Sequence, residues 1–176
     1  MNRSGVILFS NDNIRAVDGS DDDEPVLRME QLMIATESHR DGLLQRLTAT
    51  RGDVDGAIQR GTYVSLDATD SLSTIMVTGL PDPVRFFEGI SGLIALASKA
   101  AKAEHPRVAF CGERVGLLWA EGKTDAAIRL EQLCSDLAKI HEVDILCAYP
   151  LSSIHGKEHE RGFQKISAQH STVYSQ

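Results

Sequence analysis

Apolar residues fall along this chain in short continuous runs separated by longer amphipathic stretches. Gly5-Val-Ile-Leu-Phe9, Leu32-Met-Ile-Ala35, Thr62-Tyr-Val-Ser-Leu66, Arg107-Val-Ala-Phe-Cys111 and Val143-Asp-Ile-Leu-Cys-Ala148 are compact, and Thr62–Leu66 is rich in β-branched and aromatic residues. Runs of this kind read as buried strands. Between them the apolar positions recur every three or four residues. Leu43, Leu44 and Leu47 line one face of a helix that opens at Ser38, which forms a capping-box pattern with Asp41. Val54–Gln59 is a short helix closed by Gly61, and Ser71–Val77 is another. Asp82 and Pro83 supply an N-cap and a first-turn proline for a long helix carrying Val84, Phe87, Ile90 or Ser91, Ile94 and Ala97. Val115–Ala120 stops at Gly122, and Thr124 or Asp125 opens a helix with Ile128, Leu130, Leu133, Cys134, Leu137 and Ile140.

Strands that alternate with helices of this length imply right-handed βαβ units. The expected fold is a three-layer α/β/α domain over residues 1–150, with a mainly parallel sheet of about five strands. Residues 151–176 are polar, with a weak helical pattern near Phe163 and Ile166, and read as a helical or flexible tail. Residues 1–30 are atypical. The stretch Asn11–Glu24 is polar and ends in the acidic run Asp21-Asp22-Asp23-Glu24, whose spacing matches no metal loop and which reads as a solvated loop.

Composition narrows the function classes. A hydrophobic share of 42% and a charged share of 24% are those of an ordinary globular protein able to bury a core without staples. The net charge of −7, with 18 Lys and Arg scattered along the chain, argues against direct nucleic-acid binding. Cys111, Cys134 and Cys147 have no CxxC spacing and read as small hydrophobes rather than zinc ligands or disulfides. No run has the length of a membrane span or of a signal-peptide core, so a cytoplasmic protein without membrane association is expected.

In a parallel sheet, ligands bind beyond the carboxyl ends of the strands. The residues there are Thr36, Glu37 and His39 after the second strand, Asp67 and Asp70 after the third, Glu113 and Arg114 after the fourth, and Tyr149 and Pro150 after the fifth. A mixed rim of acids, an arginine, a histidine and a tyrosine suits a small polar or amphipathic ligand. Thr36, Glu37, His39, Asp67, Glu113, Arg114 and Tyr149 are the candidate ligand-binding residues, while Ser38 and Asp70 also serve as helix caps. Catalytic signatures are missing. There is no GxxxxGK[ST], no GxGxxG and no GxSxG elbow. The pair Gly89 and Gly92 lies within a helix. Phe110-Cys-Gly-Glu113 places an acid after an apolar strand, as ATPases do, but without a phosphate loop beside it. His155-Gly-Lys-Glu-His159 matches HxxEH, yet Gly156 weakens the helix that a zinc peptidase needs and no third ligand is evident. No catalytic residue, metal or cofactor is expected, and the chain reads as a non-enzyme. Trp119 sits at helical spacing in Leu117–Glu121 and reads as core.

Ile34-Ala-Thr-Glu-Ser-His-Arg40, Gly112-Glu-Arg-Val-Gly-Leu-Leu-Trp-Ala-Glu-Gly122, Arg129-Leu-Glu-Gln-Leu133 and Leu146-Cys-Ala-Tyr-Pro150 together resemble the MEDS domain, the methanogen and methylotroph DcmR sensory domain. The similarity runs from Leu32 to Pro150, with a fainter echo over Phe163–Val173. It implies a RecA- and KaiC-like fold without a phosphate loop, and a role in sensing small hydrocarbon derivatives. It also implies signalling to a histidine kinase, response regulator or transcription regulator, here in trans because the chain stops at Gln176, near where an output domain would begin. Glu113, Trp119, Glu121 and Tyr149 are family-like positions with no established ligand role. The start departs from the family pattern: Asn11–Glu30 carries too few periodic apolar residues for the amphipathic helix expected there, and a bare sheet face would favour a homodimer. Two other readings stay open, a degenerate RecA-like nucleotide-binding protein and a ligand-free dimerising scaffold.

Overall fold

The computed structural model describes residues 4–9, 30–51, 53–100, 108–141, 143–150, 157–167, 170 and 172–175. In chain order the elements are β1 (Ser4–Phe9), β2 (Glu30–Ala35), α1 (Glu37–Arg51), α2 (Val54–Arg60), β3 (Tyr63–Asp67), α3 (Ala68–Ile75), β4 (Met76–Val77) and β5 (Leu80–Pro81). They continue with α4 (Pro83–Ala100), β6 (Val108–Gly112), α5 (Arg114–Ala120), α6 (Thr124–Ile140), β7 (Val143–Pro150), α7 (Lys157–Ser167) and β8 (Thr172–Ser175). Six strands form one parallel sheet in the order β3-β2-β6-β7-β1-β8. Ile34 stands opposite Leu66 on one side and Gly112 on the other, which aligns the carboxyl ends of β3, β2 and β6. All five expected strands are present. The sixth, β8, comes from the segment read as a tail; four residues in a polar setting carry too little pattern to announce a strand.

The period of two along each strand sorts the side chains between two cores. Leu32, Ile34, Val108, Phe110, Val143, Ile145, Cys147 and Tyr149 share a core with α3, α4, α5, α6 and Ile166 of α7. Met33 and Ala35 turn the other way, onto Leu43 and Leu47 of α1 and Val54 of α2. The result is three layers, α/β/α. Each fully buried aliphatic or aromatic side chain here contributes about 1.5–3 kcal/mol of transfer free energy, so the larger core dominates stability.

Several helices differ in detail from the sequence reading. Helix α1 begins at Glu37, and Ser38 lies exposed in its first turn instead of capping it, because the N–H and hydroxyl of Thr36 are held by a distant acid. Helix α3 begins at Ala68, capped by Asp67, whose Oδ1 accepts from the N–H groups of Thr69 and Asp70. Its expected last turn is instead the two-residue ribbon β4–β5, closed by Thr78 and Gly79, both at positive φ. Helix α4 has the expected Asp82 cap on the Arg85 N–H. Its buried stripe, however, is Phe86, Ile90, Ile94 and Ala97, and Val84 is 62% exposed. Lys123, rather than Thr124 or Asp125, occupies the N-cap position of α6. Trp119, Cys134 and Cys147 are buried as expected, and Cys111 is half-buried. The acidic run Asp21–Glu24 and His155 of the HxxEH pattern lie outside the described residues.

Candidate functional site

Strands β2 and β6 are neighbours, but the chain leaves them in opposite directions. From β2 it passes through α1 and α2 on one face to β3, and from β6 it passes through α5 and α6 on the other face to β7. Divergence of this kind opens a crevice between the two carboxyl ends. The residues that leave those ends, Thr36 and Glu113, are bonded across it. The Glu113 N–H extends the ladder to the Ile34 carbonyl at 2.9 Å, which fixes its backbone. Its Oε2 accepts from the Thr36 N–H at 3.0 Å and from the Thr36 hydroxyl at 3.1 Å. His39 Nδ1 lies 2.6 Å from Glu113 Oε1 and 3.0 Å from Thr36 Oγ1. Glu113 is only 3% exposed. A buried carboxylate with several donors is held in one orientation, which makes it a fixed acceptor at the mouth of the crevice. One step away, Arg40 Nη2 reaches Asp67 Oδ2 at 3.4 Å and links α1 to the end of β3.

A cavity of about 310 Å³ adjoins this cluster on the α3–α4 side, walled by Leu66, Ile75, Phe86, Ile90 and Leu93, with Asp67, Asp70 and Ser71 at one edge. Arg114 forms another part of the wall and is 2% exposed. Its Nη1 donates to Ser71 Oγ at 3.3 Å, and its guanidinium carbon lies 5.4 Å and 5.5 Å from the ring centres of Phe86 and Phe110. Burial pushes the guanidinium pKa down from its ordinary value.

The structure therefore brings Thr36, His39 and Glu113 into direct contact and places Asp67 beside them through Arg40. Arg114 faces the adjoining cavity. Glu37 is exposed on the first turn of α1. Tyr149 belongs to a different cluster: it is fully buried, and its hydroxyl donates to Glu131 Oε1 at 2.5 Å. Phe86, Ser71 and Leu93 were not among the sequence candidates. Phe86 alone left a trace, its spacing of four from Ile90 and eight from Ile94.

The Tyr149 cluster is the second concentration of buried polar groups. His170 Nε2 lies 3.2 Å from Glu131 Oε2, and His170 Nδ1 lies 2.9 Å from the Ile166 carbonyl. Burial alone would lower the His170 pKa, but the hydrogen bond and charge of Glu131, helped by the Ile166 carbonyl, outweigh it and raise the value. Tyr149 is held well above its ordinary value by burial and by Glu131. Cys147 is raised by its hydrogen bond with Cys134, by burial and by Glu131. Burial and the Glu113 charge push Cys111 to about 12, so it stays a thiol. Glu131, Cys147 and His170 each offer a ligand atom, all within 4.8 Å of one another, and are the described residues that could hold a metal ion. Their hydrogen bonds describe an internal ion-pair network that ties α6, β7 and His170 together.

The family model for the MEDS domain, "MEthanogen/methylotroph, DcmR Sensory domain", matches residues 19–163, well over half of the chain. The chain belongs to the MEDS family. It is thereby a member of a sensory-domain family, and the segments that carried the resemblance, Ile34–Arg40 and Gly112–Gly122, are those that build the crevice of this MEDS domain. No curated protein and no solved structure matches the chain significantly. Among the described residues, no helix of this MEDS domain is long and apolar enough to cross a membrane.

Proposed function

We propose that this MEDS domain is a non-catalytic, cytoplasmic sensory module. It binds a small molecule at the carboxyl ends of the strands and passes the change to a separate regulator or kinase. The observation that carries this reading is the cavity lined by Arg114, next in sequence to Glu113, the acid bonded across the β2–β6 crevice. A cavity of about 310 Å³ falls at the small end of ligand pockets. Its lining comes from the end of β3, α3, α4 and the start of α5, four elements that a ligand would draw together. Glu113 and Arg114 are consecutive, so a displacement of α5 by a ligand in the cavity also moves the acid that Thr36 and His39 hold. A signal passes only if the ligand binds two arrangements unequally, and this linkage supplies two elements able to shift against each other.

A thermal-shift screen of small organic compounds, run beside ATP–Mg²⁺, tests the reading through mass-action linkage. Stabilisation by one or more small organics, lost when Leu93 is replaced by Trp to fill the cavity, is the expected result. Stabilisation by ATP–Mg²⁺ alone would replace the proposal with nucleotide binding. A stable dimer that responds to neither would replace it with a scaffold.

A further inference from the structure

Three charged side chains among the described residues are buried: Glu113, Glu131 and Arg114. The two acids are matched. Glu113 has Thr36 and His39, and Glu131 has Tyr149 and His170. Arg114 is not. Among the described residues it meets one neutral hydroxyl, Ser71, the faces of Phe86 and Phe110, and the nearby thiols of Cys134 and Cys147, and its Nη2 has no hydrogen-bond partner. Among the described residues no carboxylate forms an ion pair with it. Desolvating a guanidinium is costly, and ring faces and a single hydroxyl return only part of that cost. Arg114 also lines the cavity of about 310 Å³, into which a partner can enter.

The rest of the lining sets what that partner looks like. Leu66, Ile75, Phe86, Ile90 and Leu93 are apolar, so the body of the ligand is apolar too. Arg114 is a single cation, which matches one negative charge and not a polyphosphate. The two acids at the edge are also selective. Asp67 is engaged with the α3 amides and Arg40, whereas Asp70 lies exposed, so a second negative charge at that end would be repelled. A planar carboxylate matches the fork of a guanidinium, and Arg114 lines the cavity wall.

We propose that the cavity takes a small amphipathic monoanion, an organic carboxylate whose charged end pairs with Arg114 and whose apolar body lies against Phe86, Ile90 and Leu93. This rests on the sensory reading above and names its ligand class. In chemical terms, the domain would report the oxidised, acid form of a short hydrocarbon compound, discriminating it from the neutral alcohol.

Hexanoate, hexan-1-ol and hexylamine share a chain and differ in charge. Titrated into ¹⁵N-labelled full chain, hexanoate should shift the amides of Ser71, Phe86, Leu93 and Arg114, with an affinity about tenfold or more above that of hexan-1-ol. Hexylamine should be weaker still. Arg114→Met keeps the volume and removes the charge, a change that leaves buried sites as stable or more so. In that variant the preference for hexanoate should vanish while hexan-1-ol still binds. Should Arg114→Met fail to fold, Leu93→Glu at the half-buried wall puts a negative charge in the cavity and should reverse the order, hexylamine above hexanoate. Equal binding of hexanoate and hexan-1-ol, unchanged by either variant, overturns the anion assignment and leaves a small-molecule site standing. If neither these probes nor any other small organic shifts the cavity amides, both proposals are overturned.

Discussion

A Cβ built on Gly162 would lie 2.6 Å from Cη2 of the Trp119 indole, so helix α7 meets α5 at a point where no side chain fits. Trp119 is 1% exposed, and the contact continues edge-on through Tyr149, at 6.3 Å between ring centres, to Phe163 of α7 at 5.6 Å. Three rings therefore fasten α5, β7 and α7 together. Trp119→Ala should lower stability by about 3–5 kcal/mol, and Gly162→Ala by about 1–3 kcal/mol through overpacking. Urea unfolding followed by far-UV circular dichroism measures both; midpoints within error of the wild type would remove the ring chain as a stabilising element.

Glycines elsewhere separate packing from propensity. A Cβ on Gly116 would stand 2.3 Å from the Ala148 carbonyl oxygen, a backbone atom with nowhere to go. Gly116→Ala should therefore destabilise by at least about 1–3 kcal/mol, by pushing α5 off β7. Gly92 is exposed in the middle of α4 with nothing within 4 Å, and Gly92→Ala should stabilise by about 0.5–1 kcal/mol. Opposite shifts of the melting temperature are expected, and a shared sign would contradict the placement of one of the two.

The crevice can be tested without a ligand. Thr36→Val removes one donor to Glu113, and Glu113→Gln removes the charge that both Thr36 and His39 address. Residues in one hydrogen-bond network couple, so the double variant should depart from additivity by about 0.5–3 kcal/mol. Additive losses in a double-mutant cycle would show the two side chains to be energetically independent.

His170 predicts a pH dependence. Its pKa is raised in the folded chain, so the protonated form is the one the fold favours. The stabilisation is complete below the ordinary histidine value of 6.5 and fades as pH climbs through the raised folded value. The groups facing it are Glu131, directly, and Tyr149 and Cys147 through Glu131. Melting temperatures of the wild type should fall relative to His170→Gln as pH rises from 6 to 8. The variant itself should lose about 1–3 kcal/mol at pH 6, where it leaves Glu131 short of a partner. Parallel curves across that range would exclude His170 as the titrating group.

The layer architecture was readable because the core strands are short, mostly apolar runs and the long helices keep their period. The crevice was half readable. Thr36, His39 and Glu113 follow from one rule, that connections leave a parallel sheet at the carboxyl ends of its strands. What that rule does not carry is direction. Glu113 and Arg114 are adjacent in sequence, yet one faces the β2–β6 crevice and the other the α3–α4 cavity. Tyr149 satisfies the same rule and points into the core, because its place in β7 repeats the parity of Ile145 and Cys147. Ile90, Ile94 and Ala97 of α4 are buried as expected, and only its first turn was read one step off, since Phe86 and Phe87 are neighbours and period alone does not choose between them; the T-shaped contact of their rings lets both stay partly or wholly covered. Glu131 lay within a segment that carried the family resemblance, but nothing marked it as buried. A glutamate in an otherwise ordinary helix reads as solvated until its partners from β7 and from residue 170 are brought beside it.

The position of β1 has a consequence for how this chain is made. Residues 4–9 pair with 145–150 on one side and, through 5–8, with 172–175 on the other. Residues 4–9 must therefore wait, edges open, for neighbours that lie far downstream in the sequence. Pairings so distant along the chain are slow to close, and an unpaired strand in the interval invites contact with other chains. The strand order itself thus leaves β1 exposed until β7 has formed.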